Sequence, residues 1–160
     1  MKDLLLALDV ALSGGGFVNA GSRLLRRRGD VVQVIEPQKS KDSTSSQTIL
    51  TVNLGVFSTT LAERLGKPLT TPDVWDAHWR RRLGFLGPDK ADRWWQIANN
   101  KDFEAVAREV LRLVVKYAVP VFDEYSSTSK LQALWESGQC PGMTEAQRIR
   151  YLETLRSLAH

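Results

Sequence analysis

Residues 47–58, QTILTVNLGVFS, constrain this chain more than any other stretch. Thr48, Leu50, Val52, Leu54 and Val56 take alternate positions, with Gln47, Ile49, Thr51, Asn53, Gly55 and Phe57 between them. Successive side chains of a strand point to opposite faces, so one face is almost wholly apolar and the other mixed. The pattern predicts an antiparallel strand buried on one side, with a polar face left for other use.

The flanking sequence builds a sheet around that strand. Residues 23–28 and 31–38 read as two strands joined through Arg28-Gly29-Asp30, a hairpin signal. Pro37 places the end of the second on an edge or at a strand terminus. A polar loop, residues 40–46, leads into the 47–58 strand, so residues 23–57 form a three-stranded meander. Residues 58–65 suit a short helix capped by Ser58 or Thr59 and stopped by Gly66. Residues 68–72 are a connecting segment. Residues 78–84, HWRRRLG, alternate as a fourth strand: His78, Arg80 and Arg82 face one way, Trp79, Arg81 and Leu83 the other. Residues 94–97, WWQI, are short, aromatic and β-prone.

Helices bracket the strands. Residues 3–12 have helical spacing, and Ser13-Gly14-Gly15-Gly16 ends them. Phe103, Val106, Ala107, Val110, Leu111, Val114 and Val115 form the clearest amphipathic stripe, which covers the apolar face of the 47–58 strand. Pro120 breaks or bends that helix, and residues 119–125 add a further turn. Ser129 with Gln132, and Thr144 with Gln147, have capping-box spacing ahead of two more helices, the first stopped by Gly138. Ile149, Leu152 and Leu155 give the last helix a narrow apolar stripe. Strands do not alternate with long helices. The expected fold is therefore α+β: an antiparallel meander of four to five strands, with the N-terminal and C-terminal helices on one face. Residues 1–160 are expected to form a single domain.

Composition excludes several function classes. The longest apolar run, residues 4–8, is far short of the ~20 residues that cross a bilayer. Asp3 and the lack of a small-residue cleavage site argue against a signal peptide. A cytoplasmic protein is the expectation. One cysteine, Cys140, allows neither an internal disulfide nor a multi-cysteine metal site. It lies in a Gly138-to-Gly142 turn with nothing to mark it as a reactive thiolate. The histidines are His78 and His160, so a nucleophile–base pair would have to use His78. Carboxylate–histidine metal spacing is lacking, and Gly14-Gly15-Gly16 has no phosphate-loop pattern. Asp73 and Asp76, flanking Trp75, suit a helix cap. The residues point away from an enzyme and imply no cofactor and no metal.

What remains is cationic and aromatic. Net charge is +4, with arginines grouped at Arg23, Arg26, Arg27, Arg28 and at Arg80, Arg81, Arg82. Guanidinium groups bind oxyanions bidentately, although charge at strand edges also blocks unwanted pairing. Trp75, Trp79, Trp94 and Trp95 crowd one window. Tryptophan belongs in cores, but with arginine it also makes binding hot spots and stacks bases. The candidate binding residues are Gln38, Lys39, Asn53, His78, Arg80, Arg82, Trp94 and Trp95. On one sheet face, Arg80, Arg82 and His78 would lie over Thr51 and Asn53, with Gln33 or Gln38 extending the surface. Such a face suits an acidic protein patch, a carboxylate or a phosphate.

Several of these residues also form an ordered set: Gln38-Lys39-Ser40, Asn53-Leu54-Gly55-Val56-Phe57-Ser58, Arg80-Arg81-Arg82-Leu83-Gly84, Trp94-Trp95 and Tyr117-Ala118-Val119-Pro120. In order and approximate spacing, over residues 3–125, the set resembles the bacterial domain-of-unknown-function family 4304. The glycine-rich residues 17–22 and the arginine-rich first strand depart from that pattern. The resemblance implies an α+β bacterial domain and brings no activity and no catalytic residues. Gln38, Asn53, Arg80, Arg82 and Trp94 carry over only as pattern positions. The functional expectation is a non-catalytic protein-binding domain. Its most concrete form is a cytoplasmic immunity protein that neutralises a toxin with an acidic surface, by analogy of size and context. The alternatives are a nucleic-acid binder using the arginine and tryptophan clusters, and an enzyme on an anionic small molecule that uses His78 in a cleft beside a carboxylate.

Overall fold

A computed structural model of the protein describes residues 1–157. It is α+β, as the sequence leads one to expect. A six-stranded antiparallel sheet runs in the order β1 (Val18–Asn19), β2 (Leu24–Arg28), β3 (Val31–Lys39), β4 (Thr48–Ser58), β5 (Trp79–Arg82), and β6 (Trp95–Ile97) pairs with β4 alongside β5. The sheet has one strand more than the sequence suggested. The extra one is the two-residue β1, from the glycine-bounded stretch that carries too few residues to show a period. The β2–β3 hairpin turns at Gly29, whose φ of 53° suits a residue without a Cβ. Pro37 pairs with β4 beyond the end of β2, where its missing N–H breaks no ladder.

β4 is the centre of the molecule. Leu50, Val52, Leu54 and Val56 turn to the main core, which α1 (Lys2–Leu12), α4 (Asn100–Leu113) and α5 (Val119–Glu124) close with Leu4, Leu8, Val106, Val110 and Phe122. Its other face is not free. Phe57 joins Leu25, Val32, Val34, Ala62 and Val74 in a second apolar cluster beneath α2 (Thr59–Arg64) and the 3-10 turn Val74–Asp76. Thr51 is fully buried and donates to the Arg93 carbonyl oxygen at 2.7 Å. Gly55 lets this cover approach: a Cβ there would stand 2.8 Å from that of Ala77. The half-polar reading of the strand therefore fails on Gly55, covered by Ala77 and Val74, and on Phe57, whose partners come from both earlier and later in the chain.

The helices follow local chemistry. Ser58 caps α2, its Oγ accepting from the Leu61 N–H at 3.0 Å. Asp73 and Asp76 form a reciprocal capping box around the 3-10 turn. Ahead of Pro120, residues Val114–Ala118 widen into a π turn, with the Val119 N–H bonded to the Val114 carbonyl. This keeps the helix continuous up to a residue that cannot donate. The cap of α6 (Thr128–Glu136) lies two residues before the expected one, since Ser127 and not Ser129 accepts from the Lys130 N–H. α7 (Glu145–Ser157) starts at the predicted Thr144–Gln147 box. It buries Tyr151, Leu152 and Leu155, while Ile149, expected on the stripe, is exposed. Among the described residues, no helix is long and apolar enough to cross a membrane.

Candidate functional site

The two arginine clusters have different fates. Those of β2 are used internally. Arg23 donates to the Pro72 and Thr71 carbonyls at 2.8 and 2.5 Å, and Arg27 to that of Thr70, so both pin the 70–72 segment. Arg26 is buried over the Phe17 ring and bonds Gln33 Oε1, the Gly15 carbonyl and Asp123. Gln33 is also buried and donates to the Phe122 carbonyl. It pairs with Val56 in the ladder and so lies on the main-core face, opposite Asn53, which removes it from the expected surface.

The arginines of β5 stay near solvent. The register sets Arg82 beside Asn53, Arg81 beside Leu54 and Arg80 beside Gly55. Each guanidinium lies over an aromatic ring: Arg80 over Trp75 at 5.5 Å, Arg81 over Phe85 at 4.9 Å, Arg82 over Trp94 at 5.1 Å. Arg82 is also bonded to Asp92 at 2.6 Å, and Trp94 Nε1 donates to the same carboxylate oxygen. Arg80 has no carboxylate partner among the described residues. It donates to the Gly142 carbonyl at 3.4 Å and reaches Met143 Sδ at 3.6 Å. Arg81 is exposed and has neither ion pair nor hydrogen bond among the described residues. These side chains line a cleft of about 310 Å³ whose other walls are Asn53, Leu54, Val74, Trp75, Phe85 and Gly142.

The eight candidates divide accordingly. Asn53, Arg80 and Arg82 line this cleft. Gln38 supports it, its Oε1 accepting from Asn53 Nδ2 at 2.9 Å, and Trp94 backs Arg82. Lys39 is exposed at the end of β3 in register with Leu50, on the opposite side of the sheet. Trp95 is a core residue whose Nε1 donates to Glu109 at 3.0 Å. His78 is buried, stacked on Phe57 and met edge-on by Tyr151, and its Nδ1 accepts from the Ser58 N–H at 2.9 Å. Burial lowers its pKa to about 4. The cleft-borne His78 that the enzyme alternative needs is therefore not present. His160 lies outside the described residues.

The sequence reading missed Arg81, Phe85 and Gly142. Arg81 was assigned to the face of Trp79 and Leu83. Its register with Leu54, on the side of Val56 and Trp79, agrees with that face, and because β5 stops at Arg82 and α3 (Leu83–Leu86) begins at once, it stands exposed near the strand end, where it also reaches this cleft. No local signal marks Gly142, which arrives from 62 residues away. Its φ is +78°, and a Cβ there would stand 2.6 Å from the Arg80 carbonyl oxygen. Cys140, beside it, has its thiol pKa pushed up by burial. Among the described residues, no group of side chains is arranged to hold a metal ion.

No curated protein and no solved structure matches the chain. The family model described as "Domain of unknown function (DUF4304)" matches residues 8–124, from within α1 to the end of α5 and across every strand of the sheet, and the chain belongs to that family.

Proposed function

We propose that this protein is a non-catalytic protein-binding domain whose recognition surface is the arginine–aromatic edge at β5, and that its partner presents an acidic surface. The observation that carries this reading is the state of Arg80 and Arg81. Both are held over aromatic rings and neither is neutralised by a carboxylate among the described residues. Rings beneath guanidinium groups fix their position without consuming their charge, which suits bidentate capture of a carboxylate from outside. The same stacking weakens the nucleic-acid alternative, because the ring faces of Trp75, Phe85 and Trp94 that bases would stack on already carry arginines. A cytoplasmic immunity protein that neutralises a toxin is one concrete form of this function, and it asks for a cognate partner of the same acidic chemistry.

A photo-crosslinking residue in place of Phe85, introduced in the native cell, tests the reading. One protein partner crosslinked at one-to-one stoichiometry through an acidic segment is the expected result. Crosslinks to nucleic acid alone, or none, would overturn it. Loss of the gene is expected to sensitise the cell if the partner is a toxin.

A further inference from the structure

A second cleft, of about 430 Å³, lies on the helical side of β5 and is lined by Trp79, Arg81, Leu86, Tyr125, Cys140 and Pro141. It and the Asn53–Trp75 cleft share their boundaries. Arg81 lines both. The consecutive α3 residues Phe85 and Leu86 line one cleft each, and so do Gly142 and its neighbours Pro141 and Cys140. The two therefore meet over the free edge of β5, between α3 on one side and the 140–142 turn on the other. The turn is fastened to that edge, since the Arg80 N–H donates to the Pro141 carbonyl at 3.3 Å. Further along, Met143 Sδ takes contacts from Arg80 and from the Tyr151 hydroxyl, which ties the turn to α7.

We propose that these clefts are two halves of one groove that takes an extended acidic segment of a protein partner. A carboxylate of the segment meets Arg81 at the crest, and flanking apolar side chains fall against the parts of Trp75 and Phe85 left exposed beside their arginines at one end and on Leu86 and Tyr125 at the other. This rests on the protein-binding reading above and names the partner's chemistry. Side chains two residues apart on an extended segment point to the same side, so a segment with apolar residues two before and two after a glutamate presents all three to the groove as it crosses the edge. An unpaired exposed guanidinium with partly exposed aromatic rings on both sides matches that spacing. The turn that closes the groove lies beyond residue 124, outside the family match, so the groove's shape is set by this chain's own C-terminal part.

The full chain is to be titrated against an array of extended peptides in which leucine or phenylalanine stands two residues before and two after a glutamate, with glutamine-for-glutamate controls and a single-stranded oligonucleotide. Binding is expected to follow glutamate content. Arg81→Gln, an exposed substitution that leaves the thermal melt unchanged, is expected to weaken the acidic peptides about tenfold or more. Phe85→Ala and Tyr125→Ala, at the two ends, are each expected to weaken them several-fold, by roughly the measure of a lost aromatic contact. Acidic peptides that bind the wild type and Arg81→Gln equally would overturn the groove and leave the protein-binding reading standing. Sensitivity to Phe85→Ala with none to Tyr125→Ala would show one cleft, not two halves. Binding of the oligonucleotide and of no acidic peptide would overturn both the groove and the reading it rests on.

Discussion

His78 is the residue whose chemistry the fold alters most. Its ring is enclosed by Phe57 and Tyr151, and burial lowers its pKa from 6.5 to about 4. Between those two values the unfolded chain binds a proton that the folded chain refuses. Stability from this residue is therefore complete above about pH 6.5 and is lost as pH falls toward 4, on the order of 3 kcal/mol in full. Urea unfolding at pH 7 and pH 4.5 should show a drop of roughly 2–3 kcal/mol, and His78→Phe should flatten it. An unchanged pH slope in that variant would assign the effect elsewhere. Asp30 does not share this window. Burial raises its pKa, but hydrogen bonds from Thr128 and Thr60 outweigh burial and hold it below the usual 3.8, so its contribution persists until pH falls beneath that value. Gly84 is constrained by space: a Cβ there would stand 2.7 Å from the Arg93 nitrogen. Gly84→Ala is expected to destabilise the fold by about 3 kcal/mol in thermal or urea melts, because the backbone of residues 91–93 packs directly against it.

At the scale of elements, what the sequence made legible was whatever a short window encodes. The β2–β3 hairpin, the Asp73–Asp76 cap and the Thr144–Gln147 box are where the spacing put them, and so is α4 with most of its stripe, although Val115, expected on that stripe, is exposed in the π turn beyond α4. The failures share one cause. The second face of β4 is covered by Val74 and Ala62, and the cleft wall is Gly142, each brought from another part of the chain by tertiary packing. A two-residue β1 has no period to read, and the true α6 cap competed with a better-looking motif two residues on. That competition can be measured. Ser127 accepts from the Lys130 N–H at 3.2 Å, whereas Ser129 already lies inside the helix. Ser127→Ala should cost about 1 kcal/mol and Ser129→Ala almost nothing in paired urea melts. The reverse order would restore the Ser129–Gln132 box as the helix start.

At the scale of the whole molecule, the family boundary and the core boundary do not coincide. The match stops at residue 124, yet Leu131, Trp135, Tyr151, Leu152 and Leu155 belong to the same buried cluster as Leu8, Leu54 and Phe122. Trp135 is fully buried and packs on Tyr151, whose ring in turn meets His78. Polar ties cross the boundary as well. The Asp30 carboxylate accepts from the Thr128 N–H at 2.9 Å, the Ser58 and Thr128 hydroxyls lie 2.6 Å apart, and Arg64 donates to the Leu155 carbonyl. Removing α6 and α7 would expose a contiguous apolar surface and leave buried polar groups of α2 and the β2–β3 turn without partners, a combined loss larger than the usual margin of stability. Residues 1–125 expressed alone should therefore lack a cooperative thermal transition, bind a hydrophobic dye and show poor amide dispersion. Trp135→Ala in the full chain should reproduce part of that loss, about 3–5 kcal/mol. A fragment that melts as sharply as the full chain would mean that the C-terminal helices are an accessory. The turn at Pro141 and Gly142 would then be a movable wall of the β5 cleft and not a built one.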